Sequence, residues 1–272
     1  MNTESLNLST KNISEASTEE MLKMINNEDK TVAEVVEKCI PVISKLVDKA
    51  YETLSNGGRV FYCGAGTSGR LAIADAAELP PTYGLDPKRI VAIIAGGIGA
   101  MVNASEGCED SRERAIATFK EYGISGKDMV IGISASGQAP FVITVMEEAK
   151  NLGCFVACIT NNENTLMKAC ADLSVEALTG AEAIKGSTRM KAGTAQKMIL
   201  NMFSTAVCIK LGYVYKNYMV NMVTSNRKLR KRAITMLCEI MNVDESVAQN
   251  ALEQSDWSVY KAIKTLEKQE KI

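Results

Sequence analysis

The chain has 272 residues, 46% of them hydrophobic, which is enough to bury the core of one large domain or of a domain with a small appendage. Its 31 basic and 32 acidic residues give a net charge of −1, which excludes an overall electrostatic attraction to nucleic acid or to an anionic membrane. It contains no histidine, so imidazole is excluded as a general base, as the partner of a nucleophile and as a metal ligand.

The first 54 residues are predicted to be largely helical. Apolar residues recur at helical spacing from Thr18 to Leu54, in two runs separated by Asn26–Asp29. Pro41 is expected to bend or break the second run, because proline lacks the N–H group that an α-helix interior needs. The two glycines that follow Asn56 are expected to end it.

Short apolar runs then alternate with helical segments. The runs are apolar on both faces, which is typical of strands in a parallel sheet covered by helices on both sides. The sequence therefore predicts an α/β fold. The predicted strands are Arg59–Cys63, Ile90–Ala95, Met129–Ile133, Phe155–Thr160 and Asp172–Val175, and the predicted helices begin near Ser68 or cover about 101–122, 140–151 and 187–211.

The composition changes beyond Val223. A basic run, Arg227–Arg232, is followed by three short helical segments, which predict a three-helix module of about 45 residues that needs the main domain for stability. The basic run is a candidate contact for nucleic acid, but no aromatic residue interrupts it. We interpret it as a solvated helix face.

The eight cysteines indicate a reducing compartment. They are scattered through apolar segments, without metal or disulfide spacings, so we expect a cytoplasmic protein. Cys154 and Cys158 are separated by three residues but have no second pair, and we expect them to be small buried hydrophobic residues and not zinc ligands. The polar N-terminus and the lack of any apolar run near the ~20 residues that span a bilayer predict neither a signal peptide nor a membrane anchor.

A glycine-rich loop, Gly64–Gly69, follows the first predicted strand and opens a helix, where backbone N–H groups and the helix dipole favour an anion. Thr67 and Ser68 add hydroxyl donors. Arg70 stands where a dinucleotide fingerprint needs its third glycine, and no Gly-Lys-Ser/Thr closes the loop, so NAD and a P-loop nucleotide are disfavoured. A monophosphate fits better, and a simple strand-to-helix turn is the alternative.

A second hydroxyl-rich loop, Ser134–Gly137, follows the third predicted strand. Loops at the carboxyl ends of parallel strands converge on the crevice where open α/β sheets bind ligands, so the two loops together predict a phosphate ester site. A third segment, Lys185–Lys197, concentrates hydroxyls and cations at a helix start. It either caps its own helix or reaches into a site, its own or that of a neighbouring subunit.

The chain carries the motifs GAGTSGRLAIADAAELPPTYG, IAGG, EGCEDS, SASG and GSTRMKAGTAQKMILNM. Through these motifs it resembles, from about Asn7 to its C-terminus, the N-acetylmuramic acid 6-phosphate etherases, a family of the sugar-isomerase (SIS) domain superfamily. The resemblance implies a three-layer SIS fold with a parallel sheet flanked by helices. It implies N-terminal helices over 1–54 that pack on the SIS domain, an SIS phosphosugar-binding domain over 55–223 and a module similar to a ubiquitin-associated fold over 224–272. It also implies a homodimer.

The family cleaves the ether between the C3 oxygen of the sugar and its D-lactyl group without a cofactor. By resemblance Glu78 is the proton donor to the leaving group and Glu109 the base that removes the C2 proton; Glu106 is a neighbouring acid that we do not select, because Glu109 directly precedes Asp110 as in the family. Two carboxyls held in opposite protonation states can perform this chemistry without imidazole. Pro80 and the proline after it are expected to fix the backbone beyond Glu78.

The resemblance also implies substrate contacts. Ser68, Ser134 and Ser136, with Thr67 adjacent, are the phosphate candidates, and Thr188, Arg189 and Lys191 are further candidates. Two departures from the family are Ala77, where serine is common, and Ala183–Lys185, where Val-Leu-Thr is usual. The alternative functions are an SIS aldose–ketose isomerase and a regulatory phosphosugar sensor.

Overall fold

The computed structural model describes residues 2–103, 107–224 and 226–269. The chain divides into two compact units. The first comprises Met1–Ala76 and Lys88–Ser204, and the second comprises Ala77–Pro87 and Thr205–Ile272.

The first unit is built on a five-stranded parallel sheet, as predicted. Its strands are β1 (Val60–Gly64), β2 (Ile90–Ile94), β3 (Met129–Ser134), β4 (Phe155–Thr160) and β5 (Leu173–Glu176), in the order β2-β1-β3-β4-β5. In this order the chain moves outward in one direction from β1 to β2 and in the other from β3 to β5. The crevice for a ligand is therefore expected at the carboxyl ends of β1 and β3.

Helices cover both faces of the sheet. Their bounds are α1 (Thr18–Ser55), α2 (Gly66–Tyr83), α3 (Arg112–Glu121), α4 (Pro140–Asn151), α5 (Leu166–Cys170) and α6 (Lys191–Lys210). Phe61 of β1 belongs to the core formed with α3 and α4, which includes Phe119 and Phe141. The next residue, Tyr62, points to the other face, where its ring meets Phe203 of α6 edge-on and its hydroxyl donates to Asp75 of α2 at 3.1 Å.

Helix α1 is one continuous helix of 38 residues, so the separation into two runs at Asn26–Asp29 and a break at Pro41 were both wrong. A capping box starts it: Ser17 Oγ accepts the Glu20 N–H, and the Glu20 carboxylate accepts the Ser17 N–H. Pro41 removes one helix hydrogen bond, but Cys39 and Ile43 on either side of it are buried in the core. Packing of this face compensates for the missing bond.

The predicted helix over 101–122 was also wrong in extent. A short 3-10 helix covers Ile98–Met101, and α3 begins only at Arg112, where the Ser111 hydroxyl accepts the Arg114 N–H. Gly107 has φ +76°, a conformation that an α-helix does not contain. The cap and the glycine thus confine the helix to Arg112–Glu121.

The second unit contains the three C-terminal helices, as predicted: α7 (Arg227–Met241), α8 (Glu245–Glu253) and α9 (Val259–Gln269). They enclose a core that includes Leu237, Leu252 and Ile263. The cations of the basic run are exposed on the first two turns of α7, and the Arg230 guanidinium lies 4.7 Å from the centre of the Trp257 ring. Among the described residues, no helix has the length and apolarity of a membrane-spanning segment.

Candidate active site

The glycine-rich loop joins β1 to α2 by a very tight turn. A Cβ atom on Gly64 would lie 2.7 Å from the Gly69 nitrogen, and one on Gly69 would lie 2.6 Å from Cγ1 of Ile94. Only glycine lets the two backbone segments come this close to each other. Their close contact places the first turn of α2 directly at the end of β1. The leading N–H groups of a helix lack partners within it, so this end of α2 can receive an anion. Ser68 is buried here and Thr67 is partly exposed.

The second predicted loop, after β3, presents two hydroxyls side by side. Ser134 Oγ and Ser136 Oγ lie 3.3 Å apart, and they accept the N–H groups of Gly137 and Gln138 at 3.2 Å each. Each hydroxyl therefore acts as an acceptor towards the backbone, and one of the two donates its proton to the other. Because hydroxyl groups rotate, both protons can be turned towards an anion. Gly137 has φ +64°, and a Cβ there would lie 2.5 Å from the Thr165 side chain, so this turn also requires glycine.

The start of α6 lies beside the first loop. A Cβ atom on Gly193 would be 3.5 Å from Cγ2 of Thr67, and the Gly193 N–H donates to the Thr188 carbonyl at 2.9 Å. Thr188 is half-buried there, whereas Arg189 is exposed and makes no ion pair with any described residue. The segment before α6 can thus contribute to a ligand site at the first loop.

Lys191, in contrast, is engaged within the protein. Its Nζ lies 2.6 Å from a carboxylate oxygen of Glu28, and both side chains are largely buried. Its backbone N–H donates to the Glu182 carboxylate at 2.8 Å, and the Ala192 N–H donates to the other oxygen at 2.9 Å. Burial raises the pKa of Glu182, although these two N–H groups oppose the rise. This arrangement favours capping of α6 over substrate binding by Lys191, and no sequence motif pointed to Glu28 or Glu182.

Glu109 lies at the rim of the second loop. Its carbonyl accepts the N–H of Phe141, in the first turn of α4, at 2.8 Å, which anchors its backbone just beyond Ser134–Gly137. The residue is exposed on one side, and the rest of it is covered by the protein. Desolvation by the surrounding protein, and then the charge of Asp110, raise the pKa of the Glu109 carboxyl above its ordinary value. A raised pKa brings a carboxyl closer to the range in which it serves as a general base. Glu106 falls outside the described residues.

Glu78 is an exposed residue of α2 and belongs to the second unit. The two prolines after it lie inside the helix, in its last turn. The end of α2 is held within the second unit, because the Asn221 Nδ2 group donates to the Tyr83 carbonyl at 2.8 Å and the Gly84 N–H donates to the Pro80 carbonyl at 2.9 Å. The helix thus continues through both prolines, and its end is fixed by Asn221.

Arg70 is hydrogen-bonded to the backbone of the segment after β2. Its Nε donates to the Met101 carbonyl at 3.2 Å, and its Nη2 donates to the Asn103 carbonyl at 3.5 Å. It therefore holds the segment after β2. Within the described ranges, no cluster of cysteines and carboxylates is suited to a metal ion.

A cleft of about 750 Å³ lies elsewhere, at the amino ends of β3 and β4. Its charges are largely paired, since Lys150 lies 3.0 Å from Asp172 and Lys49 lies 3.2 Å from Glu52. Open α/β sheets bind their ligands at the carboxyl ends of the strands. We therefore place the candidate site at the two loops, at the opposite edge of the sheet from this cleft.

Comparisons with known proteins agree with this fold. The family model for the SIS domain matches residues 122–206. The family model for the glucokinase regulatory protein N-terminal SIS domain matches residues 42–150. The N-acetylmuramic acid 6-phosphate etherase of Symbiobacterium thermophilum is 50% identical over 254 residues, which are 93% of this chain and 84% of that protein. The etherase of Bacillus subtilis is 47% identical over 263 residues, 97% of this chain and 86% of that one.

Among solved structures, a phosphoheptose isomerase from Neisseria gonorrhoeae aligns with a TM-score of 0.55 at 16% identity, covering 70% of this chain and 98% of that one. At this identity the likeness concerns the fold alone. Together with the SIS domain match, it confirms the predicted SIS-type parallel sheet flanked by helices.

Proposed function

The chain belongs to the N-acetylmuramic acid 6-phosphate etherase family, and we propose that it cleaves the D-lactyl ether of N-acetylmuramic acid 6-phosphate to N-acetylglucosamine 6-phosphate and D-lactate. The resemblance seen in the motifs is thereby confirmed. The observation that carries the proposal is identity of 47–50% over at least 93% of the chain. The reaction is a carbon–oxygen lyase step in cell-wall amino-sugar catabolism or recycling.

The substrate's phosphate is assigned to the two loops. Ser68 and Thr67 lie at the start of α2, and Ser134 and Ser136 lie at the end of β3, so hydroxyl donors stand on both sides of the point where the strand order reverses. Thr188 and Arg189 are assigned to the outer part of the same site, and Lys191 is the weakest of the assigned contacts because of its ion pair with Glu28.

The proposed reaction uses two carboxyls in opposite states. The ring-opened sugar carries a C1 aldehyde that acidifies the C2 proton, and the Glu109 carboxylate removes this proton. Glu78 acts as the general acid and gives a proton to the C3 oxygen as the C3–O bond breaks and D-lactate leaves. Water then adds to the double bond, its hydroxyl to C3 and a proton to C2. The raised pKa of Glu109 supports its role as the base.

We also propose that the protein is cytoplasmic and that it forms a homodimer. All eight cysteines are free thiols, as suits a reducing compartment. Leu6 and Leu8 are 56% and 79% exposed, on a segment that is bonded to the loop after β5 through Asn7 and Ala181. Exposed leucines of this kind suit a surface that a second subunit covers.

The test is incubation with N-acetylmuramic acid 6-phosphate in heavy water. Release of D-lactate together with deuterium at C2 of the product is expected. A ketose product without lactate would indicate an isomerase instead. A phosphosugar that binds tightly, remains unchanged and alters binding to a partner protein would indicate a sensor, the function suggested by the match to the regulatory-protein domain over residues 42–150.

A further inference from the structure

Two consecutive asparagines after β4 hold the carbonyl of Ala135, the central residue of the Ser134–Gly137 loop. This carbonyl accepts the backbone N–H of Asn161 at 3.1 Å and the side-chain Nδ2 of Asn162 at 2.9 Å. Both asparagines are buried, with exposures of 0% and 1%. The loop is thus fixed from the side of β4 as well as by its own turns.

Because the Ala135 carbonyl is held in place, the direction of the next backbone donor, the Ser136 N–H, is also set. The C=O of Ala135 and the N–H of Ser136 share one trans peptide unit, so they point in opposite directions. With the carbonyl directed to the asparagines, the Ser136 N–H points away from them, and it has no protein partner among the described residues. The following N–H groups, of Gly137 and Gln138, are already bonded to the two serine hydroxyls. A phosphate at this loop would therefore receive one backbone N–H and two hydroxyls.

The orientation of the Asn162 amide depends on Thr3, 159 residues earlier in the chain. The Thr3 N–H donates to Asn162 Oδ1 at 3.3 Å, and Asn162 Nδ2 donates its second hydrogen to Thr3 Oγ1 at 3.0 Å. Because a backbone N–H can only meet the oxygen end of the amide, the nitrogen end must face Ala135. Thr3 is buried, with 1% exposure, so water does not compete for these bonds.

We propose that Asn162 is a positioning residue for substrate phosphate, acting through the Ala135 peptide, and that Thr3 keeps its amide in the required orientation. The inference rests on the proposed function only in that the ligand is a phosphosugar. Through Thr3, the N-terminal segment contributes to substrate affinity. Asn162 touches no reacting atom, so the effect belongs to binding and not to the chemical step.

The test is the variant Asn162→Ala, assayed for binding of the product N-acetylglucosamine 6-phosphate by calorimetry and for KM and kcat by D-lactate release. Affinity should fall and KM should rise by about 10- to 100-fold, the range expected for losing one hydrogen bond to a charged group. The turnover number kcat should stay within about threefold of wild type, because the phosphate does not react. Unchanged affinity would overturn the proposal.

Asn161→Ala is the matched control. It loses side-chain bonds to the Ala177 carbonyl and from Gln196 Nε2, but its backbone N–H to Ala135 remains. It should lower the melting temperature about as much as Asn162→Ala, with little change in affinity. A parallel loss of affinity in both variants would show a general loss of stability and would also overturn the proposal.

Thr3→Val keeps the backbone N–H and removes only the hydroxyl, so it serves if Asn162→Ala does not fold. It should weaken phosphosugar binding by about 3- to 10-fold, as for one neutral hydrogen bond, and full affinity in this variant would contradict the role of Thr3. Wild-type protein that released no lactate, while Asn162→Ala still bound the phosphosugar more weakly, would refute the proposed reaction and leave this inference intact.

Discussion

The carboxylate of Glu182 accepts a hydrogen bond from the backbone N–H of Lys191, nine residues later, at 2.8 Å. With the second bond from Ala192, this contact closes the loop that carries Thr188 and caps α6 with a buried side chain. Glutamine in place of Glu182 offers one oxygen and would turn an amide NH2 towards a backbone N–H. Glu182→Gln should therefore lower the free energy of unfolding by about 1–3 kcal/mol, measured by urea denaturation. Glu113→Gln, at an exposed position in the first turn of α3, should lower it by no more than about 0.5 kcal/mol, and equal stability of the two variants would contradict the capping role.

Replacing Glu78, the proposed acid, should lower the turnover number without weakening phosphosugar binding. Glu78→Gln cannot donate the carboxyl proton to the leaving oxygen, so kcat for lactate release should fall by at least about a hundredfold, the lower range for general acid catalysis. Binding of N-acetylglucosamine 6-phosphate should be retained, since the phosphate groups of the site are untouched. Glu113→Gln should show normal turnover. Normal turnover in Glu78→Gln would refute the assignment.

The pKa of the proposed base should depend on its neighbour. Desolvation and then the charge of Asp110 raise the pKa of Glu109. Asp110→Asn removes the like charge, so the pKa of Glu109 should fall and the acid limb of kcat/KM should move to lower pH. The measurement is the pH profile of lactate release for the two proteins. A limb that stays in place or moves to higher pH would show that Glu109 does not govern it.

The two hydroxyls of the second loop should contribute to affinity. Ser134→Ala combined with Ser136→Ala removes both hydroxyl donors to the phosphate, and KM should rise by about a hundredfold while kcat changes little, because binding of ground state and transition state is lost equally. Loop geometry can be checked by the melting temperature, since the hydroxyls also accept the N–H groups of Gly137 and Gln138. A large fall in kcat with KM unchanged would argue against phosphate binding here.

Acid should weaken the ion pair between Arg59, just before β1, and Asp128, just before β3. Burial alone would raise the pKa of Asp128, but hydrogen bonds from Arg59 and Ser125 outweigh it and hold this pKa below its ordinary value of 3.8. The stabilisation is therefore present above pH 3.8 and is lost as the pH falls through the lowered pKa. Asp128→Asn should cost about 2 kcal/mol at neutral pH, and urea denaturation should show the difference from wild type shrinking in acid. A constant difference across this range would contradict the assignment.

Local sequence was sufficient for the strands and for the loops that follow them. Alternation of buried runs with helical periodicity identified the five strands of the parallel sheet, because a strand apolar on both faces has few other environments. It did not identify the two-residue strands Val214–Tyr215 and Tyr218–Met219, which pair with each other. The glycines of the first loop and Gly137 identified the turns at the carboxyl ends of β1 and β3, since only glycine tolerates the approach observed at Gly64 or the positive φ of Gly137. The motifs also sufficed to identify the etherase family.

The tertiary structure alone decided what the remaining polar groups do. Lys191, selected as a substrate contact, lies against Glu28, and Asn162, which no motif selected, is oriented by Thr3. Helix α1 likewise continues through Pro41 because its buried face packs on the core. In each case the partner is contributed by a distant part of the chain. Periodicity and motifs report only on residues that are close in sequence, whereas these contacts exist only once separate segments pack together.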